Sequence, residues 1–202
     1  MTTTQNAVAK VDNSPAAMVQ QYKPAFAELL PSHVNADTWV RLATGALRKN
    51  RDLAAAAQAN PASFMAALSD AARLGLEPGT DQYYLTPRKA RGGSEVLGIV
   101  GYQGIIELMY RAGAVSSIVA ECVYAHDSFD YVPGADERPR HIIDWDAEDR
   151  GPLRLVYAYA IMRDGATSKV VVLNGAAIGK IRAASSSAKS DYSPWSTHTD
   201  AM

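Results

Sequence analysis

Cysteine is almost missing from this chain. Of 202 residues, Cys122 is the only one. An internal disulfide and a site built from several thiolates are therefore excluded, and a reducing cytoplasm is the simplest expected compartment. Long apolar runs are missing too: nothing approaches the roughly 18 residues of a membrane-crossing helix, so no membrane partner is expected. The opening MTTTQNAVAKVDNSPAA lacks a basic segment followed by an apolar one and does not read as a secretory signal. A phosphate loop is missing. GAAIGK, Gly175 to Lys180, has three residues between its glycines where that loop has four, and Ile181 stands where a Ser or Thr would hold magnesium. No serine lies in a G-x-S-x-G elbow. The histidines His33, His126, His141 and His198 show no HExxH or comparable spacing. ATP-driven, covalent and zinc chemistry thus find no motif.

What is present begins with a large apolar fraction, 48%, enough to exclude disorder for the bulk of the chain. The formal net charge is −1, yet the charge is segregated. Residues 41–111 carry nine basic and six acidic side chains, residues 121–150 three basic and nine acidic, and residues 151–202 six basic and three acidic. The total argues against a nucleic-acid binder; the segregation leaves room for one.

Residues 1–16 read as a polar tail and 17–202 as a single domain. A first helix is expected over Ala17–Leu30, closed by Pro31. A second follows a cap at Asn35 or Asp37, with Trp39, Leu42, Ala43, Ala46 and Leu47 on one face. A third has Asn60 as cap, Pro61 at its first position and Gly75 just past its end. The texture then changes to YYLTPRKARGGSEVLGIV, two strands around a Gly92-Gly93 turn. GIVGYQGIIELMYRAG, Gly98 to Gly113, reads as a strand feeding a helix that buries Ile105, Leu108 and Met109. Strand character returns at VSSIVAECVYAHDSFDYV, with Cys122 expected as a small buried side chain. An acidic loop over Pro133–Gly151 follows. LRLVYAYAIM alternates, with Leu155, Tyr157, Tyr159 and Ile161 on one side, and KVVVLN is its hairpin partner across Asp164-Gly165. A helix is expected over Gly175–Ala184, and another opening at Pro194-Trp195, where Trp195 reads as core or subunit interface. Helices first, then strands mixed with helices, indicates an α+β fold.

The residues that carry chemistry crowd one stretch. Arg88, Lys89 and Arg91 occupy a strand end and turn beside Tyr83 and Tyr84. Helix N-termini favour phosphate because their first amides point outward and carry partial positive charge. Gly101 and Gly104 permit close backbone approach there; Tyr102 and Gln103 are placed to reach a sugar, base or phosphate, with Arg111 two turns on. A basic hairpin with aromatics beside an open helix start suits a single-strand groove. A glycine-tight strand–helix join made only for packing fits these residues equally well. Lys49, Arg51 and Arg73 are second-tier candidates that read equally as solvated helix faces. The anionic cluster Asp144–Asp149 supports one alternative, a metal-assisted nuclease; a solvated loop is the plainer reading. A scaffold that binds only proteins is a third.

The order of the motifs adds to this. LPSHVNADTWVRLATGALRKNRDL, PASFMAALSDAARLGLEP, YYLTPRK, GIVGYQGIIELMYRAG, VYAHDSFDY, DRGPLRLVYAYA and SPWSTHTDAM, from about Phe26 to the last residue, resemble the RecT family of phage and prophage recombinases. The resemblance implies ATP-independent annealing of complementary single-stranded DNA in phage-type recombination and repair, with no bond-making chemistry and hence no enzyme activity. It implies a Rad52-like annealing core and homo-oligomeric rings or helical filaments on single-stranded DNA and the annealed duplex. It also implies a phage 5′→3′ exonuclease and a host single-strand-binding protein as partners. No cofactor is expected, with Mg²⁺ at most modulating pairing. The family's GYxG motif falls on Gly101, Tyr102 and Gly104, with Arg111 in the helix behind it. Members often carry a basic residue where Gln103 stands. The family usually continues past SPWSTHTDAM into a basic helical segment, so a C-terminal truncation is expected.

Overall fold

The computed structural model describes residues 12–90 and 93–185. The chain divides into two compact units, 1–108 and 109–202, and each has its own core. The architecture is α+β, with helices leading and small antiparallel sheets following.

Asparagine starts most helices of the first unit. After α1 (Pro15–Gln21), capped by Ser14, and α2 (Lys23–Leu29) come α3 (Ala36–Lys49), α4 (Arg51–Ala59) and α5 (Pro61–Leu74). Asn35, Asn50 and Asn60 each accept the amide of the residue three further on, at 3.0, 3.0 and 3.1 Å, satisfying a donor the helix leaves open. Gly75 ends α5 at φ 62°, a left-handed conformation that glycine adopts without steric cost. The single helix expected over Ala17–Leu30 is two, meeting at Tyr22. Pro24 has no amide for the Gln20 carbonyl, and its ring would clash there. The helix α4 had no sequence expectation, because its run of alanines around Leu53 gives little periodic contrast.

These helices bury Phe26, Trp39, Leu53, Phe64 and Leu68. The Phe26 and Trp39 rings lie 5.1 Å apart, and the indole Nε1 donates to the Leu76 carbonyl at 2.8 Å. Leu42 is only half-buried and Val40 takes its place in the core.

The hairpin of β1 (Tyr83–Ala90) and β2 (Gly93–Val100) packs on α4 and α5. Register pairs Tyr84 with Ile99, Thr86 with Leu97 and Arg88 with Glu95. Ala90 pairs with Gly93, so Gly93 belongs to the strand, not to the turn expected at Gly92-Gly93; residues 91 and 92 lie outside the described residues. One face sends Tyr83, Leu85 and Val96 into the helical core. The Ser63 hydroxyl donates to the Asn60 carbonyl and accepts the Val96 amide at 2.9 Å, fixing the hairpin to the first turn of α5.

α6 (Tyr102–Arg111) spans the boundary between the units. Its inward side in the first unit carries Gly104 and Leu108, at helical i, i+4 spacing. The expected burial of Ile105 is corrected: it is 51% exposed, one position past Gly104, and Met109 is half-buried.

The second unit is built on an antiparallel sheet, β3 (Val115–Tyr124), β6 (Leu153–Met162) and β7 (Val171–Asn174), in the order β3-β6-β7. The turn at Asp164-Gly165 closes as expected, with the Met162 amide donating to the Ala166 carbonyl at 2.8 Å. The acidic stretch is not all loop: β5 (Arg140–Ile142) pairs with β4 (Ser128–Asp130). α7 (Gly175–Ala184) has the expected bounds and an Asn174 cap. The core is small, Val123, Leu155 and Tyr157 with Val119, Phe129 and Tyr159 against it. Cys122 is half-buried, correcting the buried position expected for it. Residues 186–202, with Trp195 and His198, lie outside the described residues.

Candidate nucleic-acid interface

Strand alternation sorts the aromatic pair at the start of β1. Tyr83 points inward and is 3% exposed; burial, and then the charge of Asp70, hold its phenol above the usual range. It therefore does not join the basic residues it neighbours in sequence. Tyr84 points outward, its hydroxyl bonded to Asp81 Oδ1 at 3.2 Å. Partial desolvation, then that hydrogen bond and the charges of Asp81 and Tyr102, raise its phenol. Tyr102 opens α6 at 64% exposure and accepts a hydrogen bond from Gln103 Nε2 at 2.9 Å.

The glycines of this motif are filled by protein. A Cβ on Gly101 would overlap the Asp81 carbonyl oxygen and crowd the Tyr84 ring, and one on Gly104 would overlap the Gln82 carbonyl. The Gly101 amide donates to the Gln82 carbonyl at 2.9 Å. The close backbone approach that these glycines permit is made by residues 81–82 of the same chain, so the packing explanation holds for them. As the residue before α6, Gly101 has no side chain with which to cap the helix, unlike Asn35, Asn50, Asn60 and Asn174.

The outward face of the hairpin carries more than the expected residues. Leu97 and Ile99 lie exposed opposite Thr86 and Tyr84, and Ile105 is exposed on α6. Alternation could have found Leu97 and Ile99, since inward Tyr83 and Leu85 oblige their neighbours to face out; which side the helices cover is a tertiary fact.

Toward the tip, the cations gather. Arg88 holds Glu95 Oε1 through Nε at 3.0 Å and Nη2 at 2.7 Å, so its charge is partly answered across the strands. Lys89 has no ion-pair partner among the described residues. Both line a cavity of about 340 Å³ with Asp52, Ala55 and Ala56 of α4, Pro87 and Ser94. Lys49 and Arg51, both exposed, end α3 and begin α4 on either side of the Asn50 cap. Arg73 is apart: it pairs with Asp70 at 3.2 Å and lines a different cavity with Tyr83, Gly98 and Val100. Arg91 lies outside the described residues. Arg111, half-buried at the end of α6, falls in the second unit.

In the second unit a polar cluster escaped sequence reading. The Asp127 side chain is 2% exposed. It accepts from Arg150 Nε at 3.0 Å and Nη2 at 2.6 Å, and from the Tyr124 amide at 2.8 Å, with His141 Nε2 at 3.1 Å. Arg150 also donates to the Cys122 carbonyl and covers the Tyr124 ring at 4.4 Å. The Arg150 hydrogen bonds outweigh burial and hold the Asp127 carboxyl well below the usual carboxylate range. His126 Nδ1 lies 3.1 Å from the Asp149 carbonyl. These partners are distant in sequence and follow no motif spacing. Asp144, Asp146, Glu148 and Asp149 stay exposed, and among the described residues no group of three or more His, Cys, Asp or Glu is placed to hold a metal ion. Nor is any described helix long and apolar enough to cross a membrane.

Comparison with known proteins agrees with the motif order. The RecT family model matches residues 37–202. Protein RecT of Escherichia coli (strain K12) is 33% identical over 186 residues, covering 89% of this chain. The chain spans 66% of that relative's length.

Proposed function

The chain belongs to the RecT family, and from that premise we propose that it binds single-stranded DNA and anneals complementary strands without ATP, making and breaking no covalent bond. The observation that carries this reading is the family match over 37–202; the hairpin of the first unit supports it physically. Annealing requires that one strand be held by its backbone with its base edges open, and phosphate contacts do this without regard to sequence. Arg88, Lys89 and Arg91 are assigned to phosphates, with Lys49 and Arg51 as outer contacts. Tyr84 and Tyr102 are assigned to sugars and bases, with Gln103 beside them. Arg111 and Arg73 are assigned to phosphate more distantly, since one lies in the second unit and the other is paired with Asp70.

In this reading residues 17–202 act as one annealing domain, assembled with other copies as a ring or helical filament, in phage-type recombination within a bacterial cytoplasm. A 5′→3′ exonuclease and the host single-strand-binding protein are its partners. Mg²⁺ modulates pairing without residing in the protein.

The test is renaturation of labelled complementary oligonucleotides without ATP. Faster duplex formation with strands of unchanged length is expected. Strand shortening with magnesium or manganese would favour a nuclease instead, and no oligonucleotide retention at low salt would favour a protein-only scaffold.

A further inference from the structure

The second unit presents a side chain that its own fold leaves almost wholly unburied. Trp145 is 82% exposed. Tryptophan carries one of the largest apolar areas of any side chain and is enriched, with tyrosine and arginine, among the residues that dominate protein interfaces. It stands between Asp144 and Asp146, with Glu148 and Asp149 following, and the Asp146 amide bonds to Asp144 Oδ1 at 3.0 Å. The base of this segment is fixed on both sides: His141 and Arg150 both converge on buried Asp127. The indole is therefore presented from a held platform, which lowers the ordering cost of binding.

The complementary surface lies on the first unit. The 340 Å³ cavity at the hairpin tip has an apolar lining of Ala55, Ala56 and Pro87 and a cationic rim of Arg88 and Lys89. An aromatic ring flanked by carboxylates repeats what a nucleotide offers, a flat base beside anionic phosphate. We propose that the Trp145 segment of one copy docks in the hairpin-tip cavity of a second copy, indole on the apolar lining and Asp144 and Asp146 toward Arg88 and Lys89. Charge complementarity selects this occupant, since residues 121–150 are strongly acidic and 41–111 basic. Asp52 on one edge of the cavity opposes it and sets the orientation, carboxylates away from α4. The inference rests on the DNA reading in one respect, that strand and segment compete for the same cations. Single-stranded DNA then releases this contact, and a copy without DNA is shielded by its neighbour.

The experiment uses the full chain. Isotopically heavy and light copies carrying photoreactive benzoylphenylalanine in place of Trp145 are mixed and irradiated with and without an oligonucleotide. Heavy–light crosslinks onto 52–56, 87–89 or Ser94, lost when oligonucleotide is added, are expected. In parallel, Trp145→Ala is expected to weaken self-association about 30-fold in sedimentation, the loss of one interface anchor, while its affinity for the oligonucleotide does not fall. Crosslinks confined to one copy, crosslinks to another surface, or unchanged self-association of Trp145→Ala would each overturn the proposal. Failure of the DNA reading has a different signature: the parent does not retain the oligonucleotide, and the heavy–light crosslinks persist whatever is added.

Discussion

The two units solve the same problem with different materials. The first buries Trp39, Phe26, Phe64, Leu53 and Leu68 to 2% exposure or less and starts its longer helices with Asn side chains. The second has three buried apolar residues in its cluster and, beside them, a buried carboxylate held by Arg150 and His141. Burial of apolar surface is roughly proportional to area and forgiving of detail. A buried charge pair is unforgiving, because removing one partner strands the other. The first unit can thus hold an outward face of Tyr84, Leu97, Ile99 and Tyr102 without collapse, while the second depends on a few polar contacts in place.

The contrast breaks most visibly at Trp39. Trp39→Ala is expected to cost about 3–5 kcal/mol, from the lost ring and the cavity it leaves, with the Leu76 carbonyl losing its donor. A urea titration followed by circular dichroism reads it.

Asp127→Asn comes next. It leaves Arg150 without its counter-charge, but Arg150 is 29% exposed, so about 2–3 kcal/mol is expected rather than the full cost of a buried pair. The pH dependence has a definite sign. Because the folded Asp127 carboxyl titrates below its unfolded value, its contribution is complete above about pH 4 and is lost as pH falls toward the folded value. Melting temperatures measured between about pH 6 and pH 2 should draw closer for parent and Asp127→Asn toward the acid end; a constant difference would show that the carboxylate does not carry the effect.

Gly101→Ala sharpens the comparison within the first unit. Its Cβ would overlap the Asp81 carbonyl, and about 1–3 kcal/mol of stability should be lost with no DNA present. Unchanged stability with lost oligonucleotide binding would return this glycine to the ligand. The smallest effect is Asn60→Ala, about 1 kcal/mol for one helix cap, read in the same urea titration.

What was legible in the sequence was local. Asn35, Asn60, Gly75 and the Gly175–Ala184 helix follow from caps and periodicity within one turn, and the hairpin from alternation around its glycines. The Asp127–Arg150–His141 cluster joins residues 14 and 23 positions apart, and no spacing rule reports such contacts. Ile105 misled because an apolar residue near a helix start counts toward the core until the packed side is known, here that of Gly104 and Leu108. At the candidate site the cations and tyrosines could be named from the sequence, but not that Tyr83 turns inward while Tyr84 faces out. The Glu95 partner of Arg88, the apolar pair Leu97 and Ile99, and the occupied space at Gly101 and Gly104 needed strand register and the position of residues 81–82.

The central claim is that the hairpin of the first unit grips sugar–phosphate backbone through its cations. The salt dependence of oligonucleotide binding tests it most directly, comparing the parent with the variant carrying Arg88→Ala, Lys89→Ala and Arg91→Ala. The account predicts that the slope of log affinity against log salt becomes shallower by roughly two units, about 0.7 for each phosphate released by a single strand. An identical slope in the two proteins would contradict it.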